Sequence, residues 1–185
     1  LYHHVLYEER YKILKLTEDT MTVRMSEYIF HAEDNGKEIE ADYEKAIARA
    51  ENKTAPRSLI IWGTTDSFSM ATSKSFTGDL LKRLGGNNIA DNVDSVAKDS
   101  GYVPLGMEYI ATQDPEAIFV VTHGDVDAVK NSIDENLGQN PLWQDISAVK
   151  NNRVYVLPYQ LFAVNPGTNI AKAINILADD LYLQE

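Results

Sequence analysis

The sequence contains no cysteine. Disulfide frameworks, zinc-thiolate sites and cysteine nucleophiles are excluded together, while exported and cytosolic settings both stay open. Basic residues are also scarce: 17 Lys and Arg stand against 28 Asp and Glu, a formal net charge of −11 at pH 7. Nucleic-acid binders draw most of their affinity from neutralising phosphates, so this balance argues against that role. It equally disfavours docking on an anionic membrane surface by charge. No apolar run approaches the roughly 20 residues that a membrane-spanning helix needs. Enzyme signatures are missing too: there is no GxSxG elbow, Walker loop or HExxH. "LGGNN" lacks the dinucleotide spacing and reads as a helix C-cap. No internal repeat or low-complexity tract occurs. The chain opens on Leu1 and not Met, which reads as a fragment or processed product.

With 185 residues, 44% of them hydrophobic, the chain can bury one sizeable core. Residues 1–54 read as helical and largely solvated. "VLYEERYKILKL" places Leu6, Arg10, Ile13 and Leu14 at helical spacing, and Met25, Ile29, Ile39, Tyr43, Ala46, Ile47 and Ala50 continue it. Asn35-Gly36 is expected to break this run.

From Arg57 the rhythm changes to alternating strands and helices. "SLIIWG" is a strand, followed by the hydroxyl-rich loop "TTDSFSMATSKS", and "FTGDLLKRLGG" is a helix closed by Gly85-Gly86. "AIFVVTHG", after the Asp114-Pro115 turn, is a strand buried on both faces, and "VDAVKNSIDENLG" is its crossover helix. "NPLWQDISAVKNNRVYVLP" reads as a helix carrying Leu142, Trp143, Ile146 and Val149 on one side, a turn at Asn151-Asn152, and a third strand. The terminal helix has Asn165 as N-cap, Pro166 at N1, and Ile170, Ile174, Leu177 and Leu181 as its buried stripe. This order predicts an α/β fold: a mostly parallel sheet flanked by helices, a Rossmann-like lobe preceded by linker helices.

Ligands of such sheets meet the loops beyond the carboxyl ends of the strands. Those loops run from Gly63 to Ser75, His123 to Asp127, and Tyr159 to Asn165. Their candidate ligand-binding residues are Thr65, Ser67, Phe68, Tyr159, Phe162 and Asn165, since aromatics beside hydroxyls and amides suit a large, partly apolar ligand. The competing reading is that Phe68, Phe76 and Phe162 simply close the sheet end. His123, with Asp125 and Asp127, could suggest acid-base or metal chemistry, and a small α/β enzyme domain is the alternative it supports. A lone loop histidine is more often a solvated or hydrogen-bonded residue, so no catalytic or metal-binding residue and no cofactor is assigned. An adaptor using the acidic segment 1–54 is a third reading.

Four stretches in order resemble the C-terminal lobe of the substrate-binding proteins of ABC importers for iron-siderophore, haem and cobalamin-type complexes. They are "SKSFTGDLLKRLGGNNIAD", "GYVPLGMEYIATQDPEAIFVVTHG", "NPLWQDISAVKNNRVYVLP" and "NIAKAINILADDLYLQE". The resemblance covers residues 57 to 185. It implies that 1–54 is an interlobe linker, that 55–185 is one lobe, and that an N-terminal lobe of comparable size lies outside this chain. It further implies an extracytoplasmic setting, periplasmic or as a cell-surface lipoprotein, with a chelated metal (siderophore, haem or corrinoid) and the permease membrane subunits as partners. In this family a surface Glu on each lobe engages the permease, and Glu108 in "GMEYIATQDP" matches the C-terminal one. Because Lys74 is the only basic residue of the candidate loops, a hydroxamate complex or corrinoid is favoured over a highly anionic catecholate.

Overall fold

The computed structural model describes residues 12–16, 21–24, 28–64, 67–94, 100–122, 126–163 and 166–182. The chain divides into two compact units, residues 1–41 and 42–185. In the first, β1 (Lys12–Leu16) pairs antiparallel with β2 (Met21–Arg24), with an irregularity between Ile13 and Lys15. This corrects the helical reading of "YKILKL", whose three-to-four spacing rested on few apolar residues and yields to strand pairing. Helix α1 (Tyr28–Ala48) runs through Asn35-Gly36 without the expected break. A glycine inside a helix costs only about 1 kcal/mol, which a long helix tolerates.

The second unit takes in the last turns of α1. There Ala46 is fully buried, and Tyr43, Ile47 and Ala50 pack against the same core. Arg49 fastens this end to the terminal helix by donating to Asn175 Oδ1 (3.2 Å) and to the Asp179 carboxylate. The remaining elements are β3 (Arg57–Gly63), β4 (Phe68–Ala71), α2 (Phe76–Arg83), β5 (Asn87–Asn88), β6 (Tyr102–Pro104), α3 (Met107–Gln113), β7 (Ala117–Thr122), α4 (Val126–Asn136), α5 (Pro141–Asp145), α6 (Ser147–Lys150), β8 (Val154–Leu157), α7 (Tyr159–Phe162) and α8 (Ile170–Tyr182).

The sheet runs in the order β6-β4-β3-β7-β8, with β5 also paired to β3. β3 is parallel to β5 and β7, and β7 to β8, whereas β4 is antiparallel to both β3 and β6. The α/β class stands, and the sheet is mixed. The difference lies in "TTDSFSMATSKS", expected as loop throughout: Phe68–Ala71 turns back and pairs with Ile61 to Gly63. A four-residue strand without clear alternation gives little periodic signal.

All six residues of β7 are buried. Ala117, Phe119 and Val121 enter one core with α2 and α8, and Ile118 and Val120 enter the other with Ile110, Val129, Trp143 and Ile146. α2 begins at Ser75, whose hydroxyl accepts from the Gly78 N–H (3.1 Å), and ends at Gly85, where φ is +73°. A Cβ at Gly78 would collide with the Thr72 carbonyl, so only glycine fits that close approach. α8 begins later than the sequence suggests. A 3₁₀ turn, Gly167–Asn169, precedes it, and Pro166 caps that turn instead of occupying N1 of the helix. Asn165, the expected N-cap, lies outside the described residues.

The Trp-bearing segment is two short helices, not one. Ile146 (ψ 135°) separates α5 from α6, so Trp143 (4% exposed) and Ile146 (1%) point inward while Leu142 (39%) turns out. The start of α6 has no cap of its own. Asp114, in the left-handed region (φ 44°), supplies one from the chain before β7: its carboxylate accepts from Ser147 N (2.8 Å) and Ser147 Oγ (2.7 Å). Pro115 O accepts from Ala148 N (2.9 Å), and Ala148 O from Arg153 N (2.7 Å) as the chain turns at Asn152 (φ 56°) into β8.

These bonds from Ser147 hold the Asp114 carboxyl below its ordinary value, with Arg57 and Lys150 adding to the effect. A depressed folded-state value stabilises the fold above the unfolded pKa and is lost as pH falls through the folded one. Asp114→Ala should lower unfolding free energy by about 1.5–3 kcal/mol at neutral pH. Asp114→Asn, which keeps an acceptor and tolerates positive φ, should lose less and flatten the decline below about pH 4. Urea unfolding at pH 7 and pH 3 measures both effects.

Candidate functional site

Because β3, β7 and β8 are parallel, their carboxyl ends (Gly63, Thr122 and Leu157) share one edge of the sheet. β6 is antiparallel to β4, which is antiparallel to β3, so β6 ends there as well and α3 starts from it. Glu108, in the first turn of α3, is exposed at this same edge.

The edge is aromatic. Trp62, one residue before the end of β3, meets Tyr102 of β6 edge to face, with ring centroids 5.7 Å apart and planes at 67°. Beneath them Ile60, Ala71, Ser75, Phe76, Thr77, Val121 and Phe162 close around a narrow crevice of only about 10 Å³, no more room than one water molecule needs. Its hydroxyls are already committed. Ser75 Oγ donates to Thr72 O (2.8 Å), and Thr77 Oγ1 donates to Phe162 O (2.8 Å). Burial pushes the Tyr102 phenol above its ordinary pKa, as expected for a ring set into an apolar wall. The crevice is therefore continuous with the packed core behind the two rings.

The predicted residues divide. Ser67 is exposed in a tight turn, with Ser67 N donating to Thr64 Oγ1 (3.0 Å) and the two hydroxyls 3.0 Å apart. Phe68 is half-buried on the opposite face of the sheet from Trp62 and packs toward Met70 and Val129. Tyr159, in the first turn of α7, is half-buried. Phe162 is 1% exposed and belongs to the core; its ring closes the sheet end and is not a rim contact. Thr65, Asn165, His123 and Asp125 lie outside the described residues. Asp127 is exposed on α4. Among the described residues no group of three or more His, Cys, Asp or Glu is placed to hold a metal. Trp62 and Tyr102 were not among the predicted site residues. The alternation of "SLIIWG" carries the signal for Trp62, whereas nothing local ties Tyr102 to it.

A wider cavity, about 500 Å³, lies at the opposite, amino edge between Asn52 to Pro56, Glu116, Arg153, Leu181 and Tyr182. Much of its polar lining is engaged internally, although Arg153 Nε is buried without a hydrogen-bond partner. Arg153 donates to Leu181 O (3.0 Å), Lys53 lies over the Tyr182 ring, and Glu116 accepts from Arg57 N (3.0 Å). Topology favours the carboxyl edge despite its smaller crevice, since ligands of open α/β sheets bind beyond the strand ends.

An open α/β lobe with one solvated, aromatic strand edge is a binding architecture. The family model described as periplasmic binding protein matches residues 27–161, and the chain belongs to that family. It is 32% identical over 158 residues to the high-affinity heme uptake system protein IsdE of Staphylococcus aureus (strain Newman), covering 83% of this chain and 52% of that protein. The chain thus spans about half the length of the curated relatives it matches. Among solved structures, an ABC transporter substrate-binding protein from Listeria monocytogenes EGD-e superposes with TM-score 0.70 at 29% identity, over 84% of this chain and 58% of that one. S. aureus IsdE complexed with heme gives 0.67 at 31%, over 82% and 57%.

Phe162→Ala should cost about 3–5 kcal/mol of stability by opening a core cavity. Chemical denaturation checks this; an unchanged midpoint would return the ring to the ligand face.

Proposed function

We propose that this chain is one lobe of an extracytoplasmic binding protein, held at a membrane surface or free in a periplasm, that captures an iron chelate and delivers it to an ABC permease. Residues 55–185 form the lobe and 1–54 the segment leading from a second lobe, which contributes the other wall of the cleft. Haem is the leading ligand. The observation that carries this reading is the 32% identity, across most of the chain, to a protein named for heme uptake. The chemistry of the edge agrees with it: an aromatic wall with committed hydroxyls suits a large, flat, mostly apolar chelate. Siderophore and corrinoid complexes are the competing cargoes. The protein performs no covalent chemistry on the cargo. Affinity comes from closing two walls on it.

Thr65, Ser67 and Tyr159 remain candidates for the rim, with Asn165. His123 follows Thr122, the last residue of β7, directly in the chain. An imidazole is a suitable axial ligand for haem iron. Titrating the full-length protein with haem should produce a saturable Soret shift and quench tryptophan emission. His123→Ala should displace the Soret maximum and weaken binding at least tenfold. Tighter binding of a ferric hydroxamate, a ferric catecholate or cobalamin than of haem would overturn the assignment of cargo.

Glu108 is proposed to engage a basic residue of the permease, because an exposed carboxylate on a rigid helix can set orientation at little cost to release. Glu108→Ala should leave haem affinity unchanged and slow uptake in cells carrying it as their sole binding protein. Uptake at the normal rate would remove the docking role.

A further inference from the structure

The amino edge of the sheet carries charge that a cargo site at the other edge does not use. Pro56, Glu116 and Arg153 directly precede β3, β7 and β8, so parallel pairing brings them together there. With Asn52, Lys53 and Thr54 of the link between α1 and β3, they line the cavity of about 500 Å³. Its one carboxylate is already taken: Glu116 accepts from Arg57 N (3.0 Å), and the Arg57 guanidinium lies 3.8 Å away. Its two cations are not matched. Among the described residues no carboxylate lies within 4.0 Å of Lys53 or Arg153. Arg153 Nη2 donates to Leu181 O (3.0 Å) and Asp180 O (3.4 Å) at the end of α8, while its Nε is buried without an acceptor. A guanidinium N–H taken out of water and left unbonded is unfavourable. Lys53 Nζ rests over the Tyr182 ring, 5.4 Å from its centroid, a weak contact for a cation. In a chain of net charge −11, this cavity is a local reversal of sign.

We propose that this amino-edge cavity is a second ligand site, which takes a small dianionic oxyanion of the dicarboxylate class across Arg153 and Lys53. A guanidinium fork matches a carboxylate in shape and charge. The exposed Lys53 ammonium supplies a point charge for the second acidic group, and Asn52 and Thr54 add an amide and a hydroxyl on the exposed side. The volume falls within the range of small-molecule sites, about 300–1,000 Å³. A ligand here joins the link after α1 to the starts of the parallel strands and to the end of α8, so occupancy stabilises the lobe. The site is separate from the carboxyl edge and does not depend on the identity of the cargo.

Isothermal titration of the metal-free, full-length protein with succinate at constant ionic strength tests this, with acetate and inorganic phosphate as comparators. Succinate should bind saturably, at least tenfold more tightly than acetate because two cations are engaged, and more tightly than phosphate. Arg153→Gln should abolish binding, but Arg153 also holds the end of α8. Lys53→Gln, at an exposed position, is therefore the decisive variant, with urea unfolding confirming that it is folded. It should weaken succinate at least fivefold and leave acetate nearly unchanged. Heats that do not saturate, equal affinity for succinate and acetate, or succinate binding that survives Lys53→Gln in the folded protein overturn the site. Tighter binding of phosphate than of succinate overturns the dicarboxylate class.

Discussion

The structure depends on a strand with no face to spare. Each residue of β7 is buried, and its side chains alternate between two separate cores. Neither core is available until helices cover both faces of the sheet. Burying a side chain the size of Val, Ile or Phe contributes about 1.5–3 kcal/mol, so this strand alone commits several such terms to each face. The parallel pairing of β7 with both β3 and β8 follows, because right-handed crossovers are what bring helices over both faces. Parallel pairing in turn gathers three strand ends at one edge, the edge at which ligands of open α/β sheets bind.

Asp114 joins two stretches that look unrelated in sequence. The resemblance to a binding-protein lobe rested on the Asp-Pro turn before β7 and on the Trp-bearing segment before β8. In the folded chain the first caps the second: the Asp114 carboxylate takes the Ser147 N–H that α6 has no side chain of its own to satisfy. Pro115 and Ala148 add a backbone bond beside it. A side chain that serves as a cap 33 residues away helps to hold β8 in place beside β7. The co-occurrence of the two motifs is therefore a packing requirement, and it explains why their order was informative.

What could be read from the chain followed periodicity. β7, α2, α4 and the buried stripe of α8 announce themselves by runs or repeats long enough to count. Ile174, Leu177 and Leu181 are buried as their spacing predicts, with Ala173 and Ala178 beside them. The departures are short or tertiary in origin. Phe68–Ala71 becomes a strand through pairing with β3 and β6, which no local pattern encodes. Ile146 divides a helix that the spacing of Trp143 and Val149 made continuous, because Asp114 offers a second start. Of the candidate site, the sheet edge and the exposure of Glu108 were legible. The burial of Phe162 was not, since an aromatic after a strand reads the same whether its ring turns outward or closes the core.

The aromatic edge also bears on how selectivity relates to stability. Loops tune binding readily because they change at small cost, but they hold geometry loosely. Trp62 is part of β3 and Tyr102 part of β6, and the packing behind them includes Val121 of β7 and Phe162 of α7. The wall is thus as stiff as the core it belongs to, and Thr77 ties α2 to the Phe162 carbonyl across its base. Rigidity of this kind favours discrimination over accommodation, since a site that cannot adjust must exclude what does not fit. The same coupling restricts change at the edge: altering Ala71 or Val121 behind the rings also alters buried core residues. Change at Thr64 and Ser67 carries less of that cost, since neither side chain belongs to the buried core.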